Sequence, residues 1–284
     1  MAINGSTQLV AHIGYPTHAF KAPLIYNPWF ESRGIDAVVV PMGCRADDFP
    51  GVLPALFRLT NIRGALITMP HKVSVVALLD EVAPAVTIAG SCNAVRREPD
   101  GRLLGDMFDG AGFTRGVKRK GVVLAGARCL IVGAGGVGSA IAASLAAEGV
   151  AAIALHDVDQ AAAASLALRI AGAYPGVRAE ASSADPAGYD LVVNATPLGM
   201  NDDDPLPFDV ARLAPSTFVG EVVMKREMTP LLCGARARGC RYQVGSDMLF
   251  EMIPAYLEFF GFGTATAEEL RAVAQITAPR VDRK

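Results

Sequence analysis

The sequence predicts an α/β protein built on mainly parallel sheets, and three observations lead there. Short apolar runs rich in branched residues (9–13, 37–40, 64–68, 191–194 and 218–223) alternate with stretches of helical character. That alternation is expected of parallel strands, which need crossover helices. A glycine-rich turn joins another such run to an alanine-rich helix. The 284 residues, 51% hydrophobic and 19% charged, leave room for two domains or one large one.

From the start, residues 9–13 form a short strand ending at Gly14, followed by Tyr15-Pro16 and a loop. Pro23 suits the first turn of a helix reaching Ser32. Residues 37–40 read as a buried strand stopped by Pro41, 47–59 as a helix despite Pro50 and Pro54, and 64–68 as a third strand. Met69-Pro70-His71-Lys72 then leads into a helix over 73–79. Residues 91–95 and 102–104 form a hairpin across the turn-forming trio Pro99-Asp100-Gly101. Gly105-Asp106-Met107-Phe108-Asp109-Gly110 precedes a helix to Arg119, and the basic run Lys118-Arg119-Lys120 reads as a solvated surface.

Residues 128–157 carry the strongest local signal. A strand over 129–132 runs into Gly133, Gly135 and Gly138 at G-x-G-x-x-G spacing, with Gly136 among them. The first glycine permits the tight turn, the second lets backbone approach a pyrophosphate, and the third lets helix and strand pack closely. The helix over 137–147 offers its unpaired N–H groups and positive dipole end to phosphate. Gly149 stops it, 151–155 form the next strand, and Asp157 follows nineteen residues after Gly138. A carboxylate at about that distance accepts hydrogen bonds from the adenosine ribose. A 2′-phosphate there meets Asp157 and Asp159, a repulsion worth roughly 1 to 4 kcal/mol at about 4 Å. No Arg or Lys follows until Arg169. The expected cofactor is NAD, preferred over NADP.

Beyond Asp157 a helix covers 159–171, and the strand 191–194 ends in Asn194-Ala195-Thr196-Pro197. Residues 218–223 are a further strand, and Thr229-Pro230 opens a helix to Arg238. Gly245 precedes Met248, Leu249, Met252, Ile253, Tyr256, Leu257 and Phe260, an apolar stripe at helical spacing that reads mainly as core. Thr266 and Glu269 form a capping box for a last helix.

The totals exclude other classes. A net charge of −2 gives no basic field for nucleic acid. No apolar segment reaches the length of a membrane span, and the first residues lack the pattern of a signal peptide. Five scattered cysteines without a CxxC pair suit core thiols in a reducing cytoplasm, not a disulfide framework or zinc site.

Several short pieces then line up. Gly14-x-Pro16, Pro70-x-Lys72, Gly90-x-x-Asn93, Gly105-Asp106-x-x-Asp109-Gly110, the Gly133 loop, Asn194-Ala195-Thr196-Pro197 and Thr229-Pro230-Leu231-Leu232 occur in the order seen in shikimate and quinate dehydrogenases. Over nearly its whole length the chain resembles that family. The resemblance implies two lobes, an N-terminal substrate domain over 1–108 to which 246–284 return, and a Rossmann-type dinucleotide-binding domain over 109–245. It implies Lys72 and Asp109 as a catalytic pair in a cleft, and Thr68 and Asn93 at the substrate. It sets Asn194, Thr196 and Gly245 near the nicotinamide. The chemistry asks for such a pair: when hydride leaves a secondary alcohol, the hydroxyl proton must go to a positioned base.

The departures from that family are all of one kind. Its usual Ser-x-Ser-Pro is Phe20-Lys21-Ala22-Pro23 here, so both carboxylate-binding hydroxyls are replaced. Leu66 stands for an Asn, Met107-Phe108 for an Asn-Thr pair, Met224 for a Tyr and Met252 for a Gln. A site that loses hydrogen-bonding partners loses affinity for the polar groups they held. The expectation is an NAD-dependent alcohol dehydrogenase of this type acting on a less polar, cyclic hydroxy or keto compound near Phe20, Ala22, Met224 and Met252. The alternatives are a true shikimate or quinate dehydrogenase, and a ligand sensor that lost turnover. A small-molecule substrate, no nucleic-acid or membrane partner, and a cytoplasmic monomer or homodimer complete the reading.

Overall fold

Strand β1 (Gln8–Gly14) buries Val10, Ala11 and Ile13 and pairs in parallel on both sides, as a central strand with two covered faces should. The computed structural model describes residues 2–18 and 20–276. Helix α1 (Pro23–Arg33) has its proline in the first turn and Gly34 in the left-handed region at its end. β2 (Ala37–Gly43) runs on through Pro41, where a stop was expected. The strand order β2-β1-β3-β5-β6-β4 supplies the reason: β2 is an edge, where a missing N–H interrupts no ladder. α2 (Phe49–Leu56) is shorter than the 47–59 expected, starting where Pro50 fits the first turn. β3 (Ile62–Ile67) follows, and the expected helix over 73–79 is a 3₁₀ turn, Ser74–Leu78. It ends where Asp80 N donates to Leu103 O and draws the chain back to the sheet at β4 (Glu81–Val82).

α3 (Pro84–Ala89) was not anticipated, although Pro84 at its start and left-handed Gly90 at its end are the usual punctuation of a helix. The hairpin is present as β5 (Ala94–Arg97) and β6 (Leu103–Asp106), antiparallel within the otherwise mostly parallel sheet. α4 (Asp109–Arg119) comes next, with the cap position on Phe108 and Asp109 in the first turn.

The second sheet is parallel throughout, in the order β12-β11-β10-β7-β8-β9. It comprises β7 (Arg128–Val132), β8 (Ala152–His156), β9 (Arg178–Ala181), β10 (Leu191–Asn194), β11 (Phe218–Glu221) and β12 (Arg241–Gln243). Alternate strand residues divide between two cores. Cys129, Ile131, Leu191 and Val193 join one, and Leu130, Val132, Val192 and Val219 the other. Burial on both faces explains why these runs show no polar alternation. The short strands β4, β9 and β12 lack that signal and were missed. Around the sheet lie α5 (Gly136–Ala147), α6 (Gln160–Ala173), α7 (Pro230–Ala237) and α8 (Gly245–Phe260), and α9 (Ala267–Val273) carries the expected capping box.

The chain forms two compact units. One holds the residues up to Val82, Ser91–Asp106 and those from Tyr256 on; the other holds Ala83–Gly90 and Met107–Ala255. Among the described residues no helix is long and apolar enough to cross a membrane, and all five cysteines are free.

Candidate active site

In the second unit the strand order reverses between β7 and β10, which are neighbours although two strands separate them in sequence. In open α/β sheets such a switch point, at the carboxyl ends of the strands, is where ligands bind. The glycine turn after β7 lies there. Gly133 has φ 108°, which a side chain rarely adopts, and a Cβ on it would stand 2.7 Å from the Ala195 carbonyl carbon and oxygen. A Cβ on Gly138 would overlap the Gly133 carbonyl oxygen. Gly135 faces open space and is the N-cap of α5 without any side-chain cap, so the first N–H groups of that helix remain available to an anion. Exposed Gly136 is the first residue of that helix.

Asp157 follows β8 and holds the turn from the side. Its Oδ2 accepts from Ala134 N at 2.7 Å and its Oδ1 from Asp159 N at 2.9 Å. Each oxygen retains a lone pair for a ribose hydroxyl. Asp159 caps α6, accepting from Ala161 N and Ala162 N. Two carboxylates thus stand at the end of β8.

After β10, buried Asn194 organises the next loop. Its Oδ1 accepts from Thr196 N at 3.1 Å and Thr196 Oγ1 at 2.6 Å, and its amide donates to Leu198 O at 3.0 Å. Gly245, the first residue of α8, packs against the main chain of Val222 and Val223, leaving no room for a Cβ. Met224 is half-buried against the apolar core. The turn, the uncapped helix end, the carboxylate and the Asn194 loop together fit a dinucleotide.

Asp109 is 3% exposed at the start of α4. Its position is set by close approach: Gly110 lies against Ala140 O and Ser144 of α5, and Gly112 against Met252 and the Met248 carbonyl of α8. Met252 is therefore brought to the first turn of α4.

In the first unit Lys72 follows His71, which is wholly buried, stacked on Phe49 at 4.0 Å and bonded through Nε2 to Cys44 O at 2.8 Å. The Lys72 carbonyl accepts from Cys92 N at 2.7 Å, so its backbone is fixed on both sides. Thr68 N donates to Ile13 O at 2.9 Å. Asn93, 1% exposed, spans Asp106 O and Ile67 N through its own main chain. Phe20 is half-buried, and its Cζ lies 2.9 Å from the place a Gly14 Cβ would occupy, beside the Thr68 methyl. Ala22 is the N-cap of α1 and makes no side-chain cap.

Two residues escaped the sequence reading. His12, on buried β1, stacks on Phe20 with ring centroids 4.0 Å apart, and its enclosed Nδ1 has no hydrogen-bond partner among the described residues. Burial, and secondarily the charge of Lys72, lower its pKa to about 4, so it is neutral at physiological pH. The other is Glu221, wholly buried at the end of β11. A titratable side chain inside an otherwise apolar strand was the signal for both.

Comparison with known proteins agrees with the motif order. Residues 12–95 match the shikimate dehydrogenase substrate binding domain, and residues 118–168 match the ThiF family. Shikimate dehydrogenase (NADP(+)) of Acidiphilium cryptum is 36% identical over 276 residues, covering 96% of this chain and 98% of that protein. The structure of shikimate 5-dehydrogenase from Listeria monocytogenes with shikimate and NAD superposes with a TM-score of 0.90 at 26% identity, covering 96% of this chain and 98% of the other. That of 5-ketofructose reductase from Gluconobacter gives 0.87 at 26% identity, covering 96% and 99%. Identity of this degree over the full length, on a scaffold that fits a dinucleotide, makes this chain a member of the shikimate dehydrogenase family of NAD(P)-dependent oxidoreductases acting on CH–OH groups.

Proposed function

We propose that the protein interconverts a secondary alcohol and a ketone on a small, less polar, cyclic substrate, using NAD in preference to NADP. The observation that carries the substrate class is the Phe20–His12 stack: an aromatic ring stands where the family offers a hydroxyl to a carboxylate, and its neighbour is a neutral imidazole. Ala22, Met224 and Met252 extend the same loss of hydrogen-bonding groups, while Thr68 and Asn93 remain as polar contacts. The structural likeness to 5-ketofructose reductase of Gluconobacter, a protein named for a substrate other than shikimate or quinate, supports a changed substrate.

In this reading Gly133, Gly135, Gly136 and Gly138 cradle the pyrophosphate and Asp157 takes the ribose. Asn194, Thr196 and Gly245 face the nicotinamide. When bound, the nicotinamide would supply the hydride acceptor or donor. Lys72 accepts the hydroxyl proton as that hydride leaves and returns it in the reverse direction, and Asp109 orients the hydroxyl and the amine. The preference for NAD runs against the NADP(+) in the names of curated relatives, and rests on Asp157 and Asp159 at the end of β8. In this reading the protein works in the cytoplasm as a monomer or homodimer.

The experiment is a panel followed by nicotinamide absorbance, with NAD and NADP against shikimate, quinate and uncharged cyclic alcohols. NAD-linked turnover of an uncharged alcohol that disappears in Lys72→Ala supports the assignment. Robust NADP-linked turnover of shikimate contradicts both specificities, and turnover unchanged in Lys72→Ala contradicts the proton route.

A further inference from the structure

We infer that Glu221 is a positioning residue that presets the loops facing the nicotinamide, an inference that rests on the dinucleotide reading above. Its Oε1 accepts three N–H groups: Asn194 Nδ2 at 3.0 Å, Val222 N at 2.9 Å and Val223 N at 3.1 Å. Its Oε2 accepts from Thr229 Oγ1 at 2.9 Å. Asn194 and the Val222–Val223 turn border the proposed nicotinamide position. Asn194 transmits the arrangement to Thr196 through the two bonds that its Oδ1 accepts. Val223 turns its carbonyl against Gly245, the start of α8. Thr229 caps α7, accepting from Leu232 N at 3.3 Å. One side chain thereby ties together the loop after β10, the turn after β11 and the first residues of two helices.

Stability alone does not account for a carboxyl at this point. Burial raises the Glu221 pKa above the ordinary carboxylate range, and its hydrogen bonds only partly oppose that rise. For an acid whose folded pKa is raised, the ionised form carries a penalty above that pKa, relieved as pH falls toward the unfolded value. Ionising this carboxyl therefore works against folding. What the side chain provides is one oxygen able to gather three donors from two loops.

The test compares the binding of NADH with that of ADP-ribose, which has the pyrophosphate and adenosine but no nicotinamide, by calorimetry on the intact protein. Glu221→Ala leaves buried donors unpaired and is expected to weaken NADH by about tenfold or more, with ADP-ribose affinity unchanged. Glu221→Gln keeps an oxygen at the Oε1 position and is expected to restore NADH binding close to the wild type. Equal loss of both ligands in Glu221→Ala, unchanged NADH affinity, or a Gln variant as weak as the Ala variant would each overturn the proposal. If Glu221→Ala does not fold, Thr229→Val carries the comparison: NADH is expected to weaken by about threefold with ADP-ribose unchanged, and no change overturns the proposal. A wild-type protein that binds neither ligand overturns the dinucleotide reading itself.

Discussion

The residues proposed at the cofactor and those proposed at the substrate are held with equal firmness but differ in what they kept. In the second unit the glycine turn, Asp157 and Asn194 are set by close backbone approach and by hydrogen bonds within the fold, which suits the cofactor roles proposed for them. In the first unit the scaffold around Lys72 and Asn93 is equally well tied, yet Phe20 and Ala22, proposed at the substrate, offer carbon only.

The largest effect expected is on the chemistry. Lys72→Ala should lower kcat by roughly 10² to 10⁴ while leaving NADH affinity unchanged, which stopped-flow and binding measurements together would check. A comparable fall in NADH affinity would break the division of labour. Next comes Gly138→Ala, whose added methyl overlaps the Gly133 carbonyl. It should cost roughly 1 to 3 kcal/mol of stability and abolish tight dinucleotide binding, read by thermal melting with and without NADH. Asp157→Ser removes one carboxylate from the end of β8. The NADP to NAD ratio of kcat/KM should rise by about tenfold or more, since such a repulsion is worth roughly 1 to 4 kcal/mol.

A smaller change sharpens the substrate side. Phe20→Ser with Ala22→Ser returns two hydroxyls, and kcat/KM for a carboxylate-bearing cyclic alcohol should improve by roughly fivefold, with cofactor affinity unmoved. The smallest concerns His12, whose folded pKa of about 4 lies below the ordinary 6.5. The unfolded chain binds the proton more readily, so the stabilisation is complete above pH 6.5 and is lost as pH falls toward 4. Between pH 6.5 and 5.5 wild-type protein should lose about 1 kcal/mol. His12→Gln should flatten that slope in urea titrations, and an unchanged slope would assign it to other groups.

Much of the fold was legible because strands buried on both faces and helices punctuated by Pro and Gly leave strong local marks. The strand through 191–194, the helix from Pro230 and the Thr266 capping box are of this kind. What escaped was set by neighbours. Pro41 continues a strand only because β2 is an edge, and β9 and β12 are four and three residues of mixed polarity added to a sheet already formed. The tight turn and close backbone approach at Gly133 and Gly138 were legible from spacing alone. The roles of Glu221 and His12 were not, since each depends on partners brought in from distant segments: Asn194 and Thr229 for one, Phe20 and Lys72 for the other.

The central claim is that this pocket has exchanged recognition of a carboxylate for recognition of an uncharged group while retaining nicotinamide-linked alcohol oxidation. The most direct measurement is kcat/KM with NAD for shikimate and for its methyl ester, which differ at the carboxylate alone. The ester should be used at least as well as the acid. A strong preference for the acid, lost on neutralising that one group, would contradict the account.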